Sequence, residues 1–234
     1  RDKTIAGAGL DALEQEPLDQ PVDESRPLVS SPHAPPYDRS KALGERELRR
    51  AVEQGLDAVI LYPTSIIGPY DWRPSHVGDV LLALCRRRLP ALVSGGFDWV
   101  DVRDVAAGAL QAERLAPPGG RYLLSGHWRS VQDLARQVQD LSGVPVPRLV
   151  APLGLARLGA PLATWYCRST GRRPLFTVVA LQALHSNHNI SHARATAEFG
   201  YQPRPFRDTL ADTLTWFAQE GYLPRTMQLR RDDD

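Results

Sequence analysis

Tyr37 and Lys41 stand four apart in Tyr37-Asp38-Arg39-Ser40-Lys41, at the start of a stretch with helical character. That spacing puts both side chains on one face of a helix. A phenol beside a fixed ammonium gives up and takes back a proton more readily than one in open solvent, so the pair could act as a general acid or base. Lysine is scarce: the chain carries only Lys3 and Lys41, and its other strongly basic side chains are all arginine. Position 41 therefore calls for what a compact, rotatable ammonium supplies and a planar guanidinium fork does not. The same spacing also fits an exposed tyrosine near a solvated lysine, so the pair alone does not assign a reaction.

Other residues could do chemistry, and each has a plainer reading. His185, His188 and His192 lie close together near Asn187 and Asn189, but no carboxylate or cysteine completes a ligand set, so no metal is expected. Cys85 and Cys167 have neither metal spacing nor a disulfide framework around them. Asp101 and Asp104 resemble a catalytic carboxylate pair. Their structural reading is stronger, with Asp104 where a helix N-cap belongs and Arg103 near enough to pair with either. Arg86-Arg87-Arg88 could meet an anionic substrate, but such a cluster more often closes a helix in solvent. Trp72, Trp165 and Tyr166 could line an apolar pocket or simply pack.

With 234 residues the chain can form one large domain or two small ones. Apolar residues make up 42% and charged residues 24%, the balance of a soluble globular protein. A net charge of +1 gives no electrostatic reason to expect nucleic acid or a charged membrane as partner. The longest apolar stretch, Leu149 to Tyr166, is broken by Arg157, prolines and glycines and is too short to span a bilayer. No long apolar run follows Arg1-Asp2-Lys3, so a secretory signal is not expected, and the reducing cytoplasm is the expected compartment.

The elements that must position Tyr37 and Lys41 follow from periodicity and punctuation. Residues 16–36, rich in proline and acid, read as a loop. A helix is expected from Asp38 to Gln54, stopped by Gly55. Leu56 to Tyr62, closed by Pro63, reads as a buried strand, and helix plus strand make the αβ half of a doubly wound unit. Thr64 to Pro74 is expected to be a loop, Val77 to Arg88 a helix, and Ala91–Gly96 and Phe97–Val102 short extended pieces. Beyond them a helix is expected over Asp104–Leu115, a strand over Arg121–Leu124 and a helix over Ser130–Leu141, the last with Ser130 as cap and Gly143 after its end. Residues 144–185 alternate proline-rich links with apolar helical segments. Helices are expected again over His192–Glu198 and Asp208–Glu220, before a frayed tail at Arg230–Asp234.

Taken in order, several of these runs resemble one superfamily. They are Tyr37-x-x-x-Lys41 with Gly44-Glu45, Leu56 to Pro63 with Gly68-Pro69, and Phe97-Asp98-Trp99-Val100-Asp101-Val102-Arg103-Asp104-Val105-Ala106. Gly119 to Gly126, then Gly200-Tyr201-x-Pro203-Arg204-Pro205 and Trp216-Phe217, complete the set. The order is similar to that of the extended short-chain dehydrogenases/reductases, in the dihydroflavonol-reductase-like, NAD-dependent epimerase/dehydratase branch, over residues 16 to 223. The resemblance implies an α/β fold: part of a Rossmann-like parallel sheet with a smaller C-terminal α/β substrate lobe. It implies a partial dinucleotide-binding region at 1–67 and a substrate-binding lobe at 68–234, which includes a sheet segment returning near 97–125. It implies NAD or NADP as cofactor, with Tyr37 as general acid or base and Lys41 on the nicotinamide ribose. The loop of Pro63, Thr64, Ser65 and Ile66 would then lie where its backbone meets the carboxamide, although Thr64 and Ser65 could equally be loop caps.

The chain departs from the family pattern twice. The glycine-rich turn that seats a pyrophosphate at a helix N-terminus has only one candidate, Thr4-Ile5-Ala6-Gly7-Ala8-Gly9-Leu10, which has no third glycine. The serine or threonine that the family places upstream of the tyrosine would fall between Ile5 and Ala12, where there is no hydroxyl. Lys3 to Leu18 is also similar to a stretch of the D-2-hydroxyacid dehydrogenases. The expected function is NAD(P)-dependent oxidation or reduction of a small carbonyl or alcohol substrate. The alternatives are a nucleotide-sugar epimerase or dehydratase, and a non-catalytic remnant or regulatory module of the same fold. A part-sheet also presents an apolar edge strand and an uncovered face, so the chain is expected to be aggregation-prone or to associate through that edge, a homo-oligomer through exposed sheet or helices being one such outcome.

Overall fold

The apolar run before Pro63 becomes the central strand of a parallel sheet. The structure, a computed structural model, describes residues 3–7, 12–13, 20–152, 154, 184 and 187–224. Its elements are β1 (Thr4–Gly7), α1 (Pro36–Glu53), β2 (Ala58–Pro63), β3 (Ser65–Ile67), α2 (His76–Cys85), β4 (Leu92–Val93) and β5 (Gly96–Asp101). They continue as α3 (Val102–Leu115), β6 (Arg121–Leu124), β7 (His127–Ser130), α4 (Val131–Ser142), β8 (Val150–Ala151), α5 (Ala193–Phe199) and α6 (Phe206–Gln219). The first sheet runs β1-β2-β6 and the second β3-β5-β7, while β4 and β8 form a two-stranded pair. In the first sheet Thr4 stands opposite Ala58 and Gly7 opposite Leu61, and on the other side of β2 Ile60 faces Arg121 and Pro63 faces Leu124, all in parallel.

The chain divides into two compact units. The first comprises Arg1–Ile66, Asp98–Trp128 and Asn187–Arg204, and the second Ile67–Phe97, Arg129–Ser186 and Pro205–Asp234.

In the first unit, β2 shows why a strand covered on both faces reads as unbroken apolar sequence. Side chains alternate across the sheet with a period of two residues. Val59 and Leu61, with Tyr122 and Leu124 of β6, pack against Val100, Ala112, Ala116, Ala195, Phe199 and Tyr201. Ile60, Tyr62 and Leu123 face the other way, toward Leu13, Val22, Ile190 and the half-buried Leu48 of α1.

In the second unit β4 and β8 pair in parallel, Leu92 opposite Val150. Helix α4 behaves as its sequence predicts. The Ser130 hydroxyl accepts from the Asp133 amide, and Gly143 closes the helix at φ 69°, a left-handed turn that glycine adopts without a Cβ clash.

Several expected boundaries move. Leu56 and Asp57 belong to the turn and not to β2: Gly55 takes φ 99° and Leu56 is 38% exposed, while the Asp57 carbonyl accepts from Thr4 N. Part of the expected loop at Thr64–Pro74 is strand β3, and β7 was not expected at all; both are held by pairing with β5, a partner distant in sequence. Helix α2 stops at Cys85 and not Arg88, because Arg87 adopts φ 53°. The cap of α3 is Asp101, whose side chain accepts from Arg103 N; Asp104 lies inside the first turn and accepts from Arg204 N instead. Gly9, Trp165, Tyr166, Cys167, His185 and the tail at 230–234 lie outside the described residues.

Candidate functional site

Helix α1 sets the first part of the site. It starts with Pro36 at its first position, where a missing N–H costs nothing and the fixed φ suits a helix. One position later Tyr37 is 54% exposed, and Lys41 lies one turn on with its Nζ 5.5 Å from the centre of the Tyr37 ring. The shared face expected from the spacing is thus present. Among the described residues neither the Tyr37 hydroxyl nor the Lys41 ammonium makes a hydrogen bond. A phenol and an ammonium on one helix face, neither hydrogen-bonded among the described residues, suit a sugar diol and a reacting oxygen.

A further turn along, Glu45 turns inward. Its side chain is fully buried, and its Oε1 accepts from the Tyr62 hydroxyl of β2 at 2.5 Å and from Arg49 Nε at 2.8 Å. Glu45 thus ties the Tyr37/Lys41 helix to the strand that leads into Pro63. Burial, with the Glu45 carboxylate beside it, pushes the Tyr62 phenol well above its ordinary range. The one legible signal for this contact was the spacing: Glu45 follows Lys41 by four residues, with Gly44 beside it.

The other predicted residues stand at the carboxyl end of β2. Pro63 pairs with Leu124 as the last residue of that strand, and Thr64 N donates to the Leu124 carbonyl at 3.3 Å. Thr64 is buried and its hydroxyl donates to Asp98 Oδ1 at 2.7 Å, while Ser65 is half-buried and Ile66 exposed on β3. The hydroxyl and the N–H of Thr64 are therefore both engaged inside the protein. Tyr37 and Lys41 share a helix face, and 63–66 form one stretch of chain in the same unit.

Asp98 is the residue that sequence reading passed over. It lies on β5, 5% exposed, and its Oδ1 also accepts from Gly126 N at 2.7 Å. Burial raises its pKa, opposed by the bonds from Gly126 and Thr64 and by nearby His127 and His192. Only its place within the Phe97-Asp98-Trp99 run was legible.

The remaining candidates are engaged elsewhere. Asp101 pairs with Arg103 at 2.7 Å, and Asp104 pairs with Arg204 at 2.7 Å, so both carboxylates hold structure. His188 stacks near Trp128, with ring centres 4.2 Å apart, and His192 Nδ1 lies 2.9 Å from Thr196 Oγ1. Among the described residues no cluster of His, Cys, Asp or Glu is placed to hold a metal. In the second unit Trp72 packs edge-on against Trp216 at 5.1 Å, and Arg86 donates to the Tyr222 carbonyl at 2.6 Å. Among the described residues no helix is long and apolar enough to cross a membrane.

Parallel strands alternating with helices, with candidate residues at a strand's carboxyl end, define an α/β protein of the Rossmann type. Residues 10–124 match the NAD dependent epimerase/dehydratase family. The chain is 34% identical over 191 residues to "Sterol demethylase protein B" of Methylococcus capsulatus, covering 80% of this chain and 58% of that protein. It is 30% identical over 226 residues to "Putative dihydroflavonol 4-reductase" of Synechocystis sp., covering 95% of this chain and 66% of that protein. The crystal structure of gox2253 aligns with a TM-score of 0.78 at 32% identity, over 95% of this chain and 68% of that one. The chain therefore belongs to the NAD-dependent epimerase/dehydratase family, with reductase- and dehydrogenase-like relatives, and the family's cofactor is a nicotinamide dinucleotide. It spans less than two thirds of the length of the two curated relatives named above.

Proposed function

We propose that the protein is an NAD(P)-dependent oxidoreductase of a small apolar molecule bearing a ketone or secondary alcohol, with Tyr37 as its general acid or base. The observation that carries this reading is the placement of Tyr37 and Lys41 on one face of α1, the Lys41 Nζ 5.5 Å from the centre of the Tyr37 ring and both groups without a hydrogen bond among the described residues. When bound, the nicotinamide supplies the hydride. Lys41 binds the ribose hydroxyls and keeps a positive charge beside the phenol. Tyr37 Oη gives its proton to the substrate oxygen during reduction and takes one during oxidation. The backbone at Thr64 and Ser65 orients the carboxamide, and Glu45 keeps α1 in register with β2 through Tyr62. The names of the two relatives, a sterol demethylase protein and a putative dihydroflavonol 4-reductase, favour ring alcohols and ketones over sugar nucleotides.

The test is titration of the purified chain with NADH and NADPH, followed by nicotinamide fluorescence, with Tyr37→Phe and Lys41→Ala alongside. Saturable binding that Lys41→Ala weakens supports the reading, and turnover of a ketone panel that Tyr37→Phe abolishes completes it. A folded chain that binds neither dinucleotide would instead be a non-catalytic module of this fold.

A further inference from the structure

Asp98 joins two strand ends through one oxygen. Thr64 follows directly after β2, and Gly126 lies two residues beyond β6. Because β2 and β6 are parallel neighbours, both donors stand at carboxyl ends, where open α/β sheets receive ligands. Both bonds converge on Asp98 Oδ1 at 2.7 Å. The approach of Gly126 is specific to glycine: a Cβ there would come 1.9 Å from the Trp99 carbonyl oxygen, and backbone cannot give way as a flexible side chain can. An apolar pair would fill this space without the cost of desolvating a carboxylate, but it would leave the Gly126 N–H without its acceptor. Retaining an acid here, bonded to both strand ends, calls for a role besides filling volume.

We propose that Asp98 is a positioning residue for the cofactor. By accepting from Thr64 Oγ1 and Gly126 N together, it fixes the Thr64–Ser65 backbone that meets the carboxamide. The proposal rests on the reading of Tyr37 and Lys41 given above. Asp98 itself touches no reacting atom. The charged and titratable groups that face it are His127, His192 and Tyr201.

The experiment uses the full chain and four variants: Asp98→Asn, Asp98→Ala, Thr64→Val, and Thr64→Val with Asp98→Ala. Circular dichroism first shows that each is folded, and NADH is then titrated by fluorescence. Removing the acceptor is expected to weaken NADH binding about tenfold in Asp98→Ala, the scale of one lost charge-assisted hydrogen bond. Asp98→Asn keeps an acceptor and should recover most of that loss. Thr64→Val should add little on top of Asp98→Ala, because both changes break the same link. A purely structural residue would lower stability in proportion and leave the affinity of the folded fraction alone. Wild-type binding that Asp98→Ala leaves unchanged would overturn the proposal while the Tyr37/Lys41 reading stands. Additive losses from Thr64→Val and Asp98→Ala would overturn the coupling through Thr64. A folded wild type that binds no dinucleotide would overturn the cofactor reading and, with it, this role for Asp98.

Discussion

The Tyr62 hydroxyl donates to Glu45 Oε1 across the gap between β2 and α1 at 2.5 Å, and the Glu45 side chain is fully buried. The bond fixes where the Tyr37/Lys41 helix lies along the sheet, because Glu45 is one turn from Lys41 and Tyr62 is next to Pro63. Tyr62→Phe removes the donor without changing the shape of the core. The expected loss is about 1–3 kcal/mol, the usual cost of leaving a buried charged acceptor short of a partner. Urea unfolding should show a lower midpoint at unchanged slope, and an unaltered midpoint would remove this contact from the account of stability.

At position 41 charge alone should not suffice. Lys41→Arg preserves the positive charge but replaces a compact ammonium with a planar fork. Dinucleotide affinity is expected to fall for Lys41→Arg nearly as far as for Lys41→Ala, about tenfold or more if one charge-assisted contact is lost. Full affinity in the arginine variant would show that a diffuse positive field is all the site needs.

Asp98 carries a pH signature. Burial raises its folded-state pKa above the ordinary value of 3.8, so the native state holds the proton longer than the unfolded state does. Its contribution is therefore favourable at low pH and is lost as pH rises through the folded pKa. Asp98→Asn cannot ionise, so its stability relative to wild type should climb from below pH 4 toward neutrality. Melting temperatures of the two proteins across that range provide the check; parallel curves would mean that Asp98 keeps its unfolded-state acidity.

Cys85 should be inert in the folded chain. It is buried in α2, and desolvation pushes its thiol up to about 12, so the reactive thiolate is scarce at neutral pH. Alkylation with iodoacetamide, read by mass spectrometry of the peptide that carries Cys85, is expected only after denaturant is added. Labelling in native buffer at the denatured rate would contradict the buried placement.

At Gly126 the smallest side chain is already too large. The Trp99 carbonyl sits where the alanine Cβ would go, so the backbone must move in Gly126→Ala. About 1–3 kcal/mol of stability is expected to be lost, as when an extra methyl is forced into a packed interior. Thermal melts would detect this, and a wild-type melting temperature would show that the loop yields freely.

Local features were legible and distant pairings were not. The Tyr37–Lys41 face, the Ser130 cap, the Gly143 stop and the buried strand before Pro63 each depend on a few consecutive residues whose backbone preferences act on one another directly. Asp104 was expected as the cap of α3 because the sequence offers two acids in the right neighbourhood. The start of the helix chose Asp101, and the chain at Arg204, far along the sequence, took Asp104. Strands β3 and β7 escaped notice because neither run has enough apolar alternation to declare itself; pairing with β5 makes them strands.

What the sequence alone determined was the chemistry on offer: a phenol and the second of two lysines, one helical turn apart, before an apolar strand that closes on proline. That spacing is converted into a shared face by the helix itself, so no other part of the chain is needed. What only the tertiary structure decided was which groups are spent and which remain available. Thr64 is consumed by Asp98, thirty-four residues away in sequence, and Glu45 by Tyr62, while Tyr37 and Lys41 keep their donors free of the described residues. Those outcomes depend on strands meeting in register, and a hydrogen bond between distant segments exists only once the packed sheet brings donor and acceptor within about 3 Å.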